Sequence, residues 1–152
     1  MCVVGVVAAV VAAAARAGGE PPTMLPGAKA VVTGTHVSCT VTGTSVTCTK
    51  AGGWTATLDE VGAVRFSRTA PPAAKAAKVV RLGLNGGFVL AGAPVYCHVY
   101  ADGGPTLTCS DESGARGGMP SSHGFDENEH VLVLFRYDAA HVRHDVKTYP
   151  QS

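Results

Sequence analysis

The chain has 152 residues, 46% of them hydrophobic and 15% charged, with 19 glycines. Glycine exceeds the ~7% of ordinary domains and charge falls below the usual ~25%, which excludes a coiled coil and a disordered charged tail; the length fits one domain or at most two small ones. Lys and Arg total 12 against 11 Asp and Glu, so no net field steers the chain toward nucleic acid or an anionic membrane surface.

From Cys2 to Ala15 only Cys, Val, Gly and Ala occur. The run falls short of the ~20 residues a membrane-spanning helix needs and suits the core of a secretory signal. Ala15-Arg16-Ala17 offers small residues at both positions a signal peptidase reads, which predicts a signal helix over 1–17 with cleavage after Ala17. An uncleaved anchor is the alternative, because no Lys or Arg precedes the apolar run. Cleavage removes Cys2 and Arg16, leaving a formally neutral chain and four cysteines, Cys39, Cys48, Cys97 and Cys109. An even count in an oxidising compartment predicts two disulfides. Residues 18 to about 30 carry little pattern and are expected to be poorly ordered.

The next segment alternates. Val37, Cys39, Val41, Val46 and Cys48 share one face, while His36, Ser38, Thr40, Ser45, Thr47 and Thr49 share the other, the pattern of a half-buried hairpin. With Gly43-Thr44 as a type II′ turn, Thr42 faces Ser45 and Cys39 faces Cys48. That cysteine pair is non-hydrogen-bonded, with Cα atoms ~4.5 Å apart, inside disulfide reach. A bridge closing about ten residues is worth ~2.7 kcal/mol in the chain-entropy model. Residues 69–79, rich in Pro, Ala and Lys, read either as a linker or as a short helix that Gly83 ends.

Beyond them the pattern returns. Val95-Tyr96-Cys97-His98-Val99 precedes Leu107-Thr108-Cys109, and a loop from Ala101 to Pro105 puts Cys97 opposite Cys109. Two other connectivities exist for four cysteines, and both would join the halves. Each cysteine pair is followed by a glycine-containing loop, an aromatic residue and an apolar segment ending in Phe: Trp54 to Phe66, then Phe125 to Phe135. Leu25 and Leu84 stand at similar distances before the first cysteine of each copy. The chain therefore reads as two copies of a unit of roughly 50 residues, a first β repeat over 18–68 and a second over 80–152 that ends in a polar tail from Arg143 to Ser152, which is expected to be poorly ordered. A unit so small has little core of its own. The expected fold is all-β, two pseudo-symmetric, disulfide-stapled hairpin repeats packed as one sandwich or open barrel. Trp54, Leu58, Val64, Phe66, Phe125, Val131, Val133 and Phe135 are expected between the copies, with residues 130–135 as a central strand.

This unit of Cys, hairpin, Val-Thr-Cys, glycine-rich loop with an aromatic, and terminal Phe resembles a repeat found in a family of small secreted bacterial proteins of unknown function. In that repeat a Gly-His-Gly-aromatic step follows the second cysteine; Ser122-His123-Gly124-Phe125 approximates it, and Gly52-Gly53-Trp54 lacks the histidine. The likeness covers residues 25–66 and 84–137. It implies secretion, disulfides and a β-rich fold, and brings no activity or catalytic residue.

Charge is unevenly spread. Residues 18–101 hold seven basic and three acidic side chains, and residues 102–152 hold four and eight, so the halves can attract each other where they pack. A weak cation site is the alternative use of the acid: Asp111, Glu112, Asp126, Glu127 and Glu129 offer hard oxygens for Ca²⁺, without EF-hand spacing. His123 and His130 flank the acidic run and His98 could approach from the second hairpin to hold Zn²⁺, but the cysteines are better used as disulfides and no tight ligand motif is present. Ser121, Ser122, His123 and Asp126 lie close in sequence without a Gly-x-Ser-x-Gly elbow. On the polar face of the second hairpin, Tyr96, His98 and Tyr100 project together beside Thr106, Thr108 and Ser110, an amphipathic aromatic stripe suited to recognition. The expectation is a secreted β module that binds or supports without catalysis and needs no cofactor. Its partner would be an extracellular protein or envelope component, not nucleic acid. The alternative is a small extracellular hydrolase or metal-dependent enzyme using the His123–Glu129 region.

Overall fold

A computed structural model describes residues 21–51, 53–59, 64–69, 78–101, 104–111, 122–140 and 142–151. The expected signal helix over 1–17 lies outside them, as does most of the 69–79 segment. Every regular element among the described residues is a strand, and no helix there is long and apolar enough to cross a membrane. The first half supplies β1 (Thr23–Met24), β2 (Ala28–Val32), β3 (Val37–Thr42), β4 (Ser45–Lys50), β5 (Trp54–Leu58) and β6 (Arg65–Ser67). The second supplies β7 (Lys78–Leu82), β8 (Gly87–Leu90), β9 (Val95–Ala101), β10 (Pro105–Asp111), β11 (Ser122–Glu127), β12 (Val131–Tyr137) and β13 (Arg143–Pro150).

These strands form two sheets, a six-stranded one in the order β6-β5-β4-β3-β2-β7 and a seven-stranded one in the order β1-β8-β9-β10-β11-β12-β13. Consecutive strands pair antiparallel, with two exceptions. β1 runs parallel to β8, and β7 runs parallel to β2. Each short strand thus completes the sheet built by the other half of the chain.

Three expectations about order need correction. Residues 23–32 form β1 and β2, anchored in part by the Gly27 amide donating to the Val41 carbonyl at 2.8 Å. Lys78–Leu82 is strand rather than linker or helix end: Val80 and Leu82 are buried while Lys78, Val79 and Arg81 are exposed. The polar tail is β13, paired along β12, with Tyr149 stacked on Phe66 at a centroid distance of 3.7 Å.

The cysteine register is as the turns dictate. Thr42 pairs with Ser45 and Cys39 with Cys48, and Gly43 takes φ 57° where Thr44 keeps a negative φ, as a type II′ turn requires. In the second hairpin Ala101 pairs with Pro105 and Cys97 with Cys109. Both bridges lie within their own hairpins, Cys39–Cys48 and Cys97–Cys109.

One core is shared by both sheets. At its centre Cys48 Sγ lies 3.9 Å from Cys109 Sγ across the gap, and Trp54 meets Phe125 edge-on at 6.3 Å. Each large apolar side chain fully withdrawn from water here is worth roughly 1.5–3 kcal/mol. Leu58 and Phe125 are buried as expected, whereas Val64 and Phe66 are partly buried at the margin. The phase of β12 differs from expectation. Its register puts Leu132 opposite Glu127 and Leu134 opposite Phe125, so these two face the core. Val131, Val133 and Phe135 then fall on the outer face by alternation. β12 is nonetheless central, between β11 and β13. Among the described residues one ion pair joins the basic half to the acidic half, Lys50 Nζ to Glu127 Oε1 at 3.4 Å.

Candidate functional site

The outer face of the seven-stranded sheet is built by register. Tyr96, His98 and Tyr100 on β9 stand opposite Ser110, Thr108 and Thr106 on β10. Thr108 and Ser110 then face Asp126 and Gly124 on β11, and Gly124 faces Phe135 on β12. Phe135 and Tyr137 pair with Asp145 and Arg143 on β13. Strand β10 therefore brings only short hydroxylated side chains to the middle of this face, while rings and charges rise on both sides.

Two glycines shape the relief. A Cβ at Gly124 would lie 2.4 Å from the Cys109 carbonyl oxygen and 2.5 Å from Phe135 Cζ. The Phe135 ring occupies that space and is 3% exposed although it faces away from the core. A Cβ at Gly87 would lie 2.6 Å from the Cys97 carbonyl oxygen and 3.0 Å from the Tyr96 hydroxyl. Rings that lie down over glycine leave a trough above β10. It has a volume of ≈ 630 Å³, between Tyr100 on one side and Asp126, Tyr137 and Arg143 on the other. Tyr100 is 47% exposed, and Tyr96 and His98 are half-buried. The imidazole of His98 sits between the two tyrosines, 5.7 Å from Tyr96 and 4.2 Å from Tyr100.

The charges on this face are held by one another. Asp126 accepts from Thr108 Oγ1 at 2.7 Å and pairs with Arg143 at 2.6 Å. Arg143 Nε also donates to Asp145 Oδ1 at 2.8 Å, and its guanidinium covers the Phe135 ring at 4.2 Å. Burial alone would lower the pKa of Arg143, but its bonds to Asp145 and Asp126 outweigh that and raise it. The guanidinium is thus fixed as a cation between two carboxylates.

A second group lies where the sheets meet. Glu127 is 3% exposed. Burial pushes its carboxyl pKa up, and the charge of Lys50 with hydrogen bonds from Gln151 and Lys50 only partly oppose this. It borders a cleft of ≈ 440 Å³ lined also by Thr35, His36, Pro105, Glu129 and His130.

The candidate residues separate accordingly. The aromatic stripe Tyr96, His98 and Tyr100 is gathered on one face. The acidic set is not gathered: Asp126 lies on the outer face, Asp111 and Glu127 are buried on the inner one, and Glu129 is exposed beside His130 at 3.0 Å. Glu112 lies outside the described residues. Asp111 Oδ2 accepts from the His123 amide at 3.4 Å, and the His123 ring lies on the core side, away from His98 and Asp126. Ser121 is outside the described residues. Among those described, the one trio of potential ligand atoms close together is Cys39, Cys48 and Cys109, all held in disulfides. Sequence reasoning named Asp126 as a cation ligand and Phe135 as core, and missed the pairing of Asp126 with Arg143, the share of Asp145 in it, and the place of Phe135 and Tyr137 at the trough. Gly124 within a strand was the available signal, since such a glycine marks a close approach. Comparison with protein families, with curated proteins and with solved structures gave no match in any of the three.

Proposed function

We propose that this chain is a secreted, disulfide-stapled β-sandwich of two copies of one unit, related to the small secreted family it resembles. It binds an extracellular protein or envelope component through the outer face of its seven-stranded sheet, without catalysis or cofactor. Duplication is supported by matched bonds. Gly27, at φ 86°, donates to Val41, and Asn85, at φ 62°, donates to Val99, both at 2.8 Å. Thr33 donates to Leu82 and Ala91 to Met24. Two buried bridges support an oxidising compartment.

The observation that carries the binding reading is the trough flanked by an exposed tyrosine and a closed ion-pair network. Rigid rings and pre-set polar groups bind with little loss of conformational freedom. The test is co-sedimentation of purified protein with insoluble envelope material. Wild type should sediment, and Tyr96→Ala with Tyr100→Ala should stay in solution while its Tm falls by no more than a few degrees. Equal sedimentation of both proteins would refute the assignment, and loss of folding would mark the tyrosines as structural.

One observation favours an extracellular hydrolase using the His123–Glu129 region instead: a buried carboxyl with a raised pKa, Glu127, at the wall of a cleft. That reading requires Glu127→Gln to abolish a turnover that the tyrosine variant retains.

A further inference from the structure

We infer that the trough above β10 takes a linear, uncharged, hydroxyl-rich chain, a neutral polysaccharide; this rests on the outer face being the binding surface and names its ligand class. Three observations lead there.

The floor is chemically simple. Thr106, Thr108 and Ser110 recur every second residue along β10, about 7 Å apart at ~3.4 Å per residue. Hydroxyls both donate and accept, as the hydroxyls of a sugar do. The backbone beneath them offers nothing more, because β10 is paired along both edges, to β9 and to β11. A peptide adding itself as a strand would find no unpaired ladder here.

The charges are already spent on each other. Both Asp126 oxygens are engaged, by Thr108 and by Arg143, and Arg143 is shared with Asp145. An anionic ligand would meet two carboxylates around one guanidinium. A neutral ligand can instead hydrogen-bond to the remaining lone pairs and N–H groups of a network whose geometry is fixed before it arrives.

The walls carry aromatic rings. Tyr100 is 47% exposed at one side, and Tyr137 borders the trough at the other. Aromatic faces attract polarised C–H groups, which line the flat sides of a sugar ring, while phenolic hydroxyls reach its oxygens.

The experiment is affinity electrophoresis of the full chain in native gels containing galactomannan, xyloglucan, glucomannan or soluble β-1,3-glucan, with dextran sulfate as the polyanionic control. Retardation is expected in at least one neutral gel and not in dextran sulfate. Titration calorimetry with that polysaccharide should give an affinity changed less than twofold by about 0.5 M salt, where charge pairing is screened within a few ångströms. Tyr100→Ala should weaken binding at least tenfold. Thr106→Val, which keeps side-chain shape and strand propensity at another position on the trough floor, should weaken it severalfold with an unchanged circular-dichroism melt. Migration unaltered in every neutral gel, retention in dextran sulfate alone, or full retention by both variants would overturn the inference. If envelope sedimentation stays dependent on the tyrosines while every neutral gel fails, only the ligand class falls. If sedimentation also ignores the tyrosines, the binding face itself is wrong.

Discussion

Gly124 does at residue scale what no side chain could do in its place. Its missing Cβ lets Phe135 lie across β11, and Phe135 in turn supports the Arg143 guanidinium that pairs with Asp126. Gly124→Ala puts a methyl 2.4 Å from a backbone carbonyl that the ladder holds in place. We expect a loss of about 1–3 kcal/mol in urea unfolding, the usual cost of overpacking. A Phe135→Leu background, with a smaller group over residue 124, should recover only part of it, since the carbonyl contact remains. Residues such as these were legible only in part. The cysteines declared their partners because a two-residue turn fixes register locally. The stripe Tyr96, His98 and Tyr100 followed from alternation alone. The pairing of Asp126 gave no such sign, because Arg143, which it shares with Asp145, comes from a strand two ladders away.

Among the elements, the turn of the β12–β13 hairpin gathers three bonds on a single carboxylate. Asp138 Oδ1 accepts from the amides of Ala140 and Val142 at 2.9 and 3.0 Å, and Oδ2 pairs with His144 at 2.7 Å. The bond from His144, then those from the backbone, lower the Asp138 pKa from 3.8 to about 2. The folded hairpin therefore binds a proton less readily than the unfolded chain. Its stabilisation is present above pH 3.8 and is lost as pH falls toward about 2. Hydrogen-exchange protection of β13 amides near the turn should decline over that window in wild type, and Asp138→Asn should make the decline smaller. The sequence concealed this element behind its polarity: Arg143, Asp145, Lys147 and Tyr149 stand at every second position, and an irregularity opposite Leu134 and Phe135 puts the first two and the last two on opposite faces. β12 was visible but without phase, because a strand apolar on both faces carries no alternation to read. β7 hid for a third reason: its partner β2 lies far back in the chain and runs parallel, so no turn announces it.

Across the whole molecule the exchange of β1 and β7 matters more than either hairpin. Neither sheet is complete with strands from one half alone, yet no disulfide crosses between the halves. Composition and cysteine arithmetic reached the two stapled hairpins; they were silent on the exchange, which depends on pairings with no local signature. Covalent continuity between Ser67 and Lys78 is then dispensable once the chain has folded. If a protease site is installed within residues 70–77 and cut, the two fragments should co-elute from a native sizing column, with or without a reducing agent, and separate only in denaturant. Fragments that drift apart in plain buffer would show that the borrowed strands hold little. Co-elution would make this chain a natural pair of complementary pieces, usable as a split reporter whose parts reassemble by mutual completion.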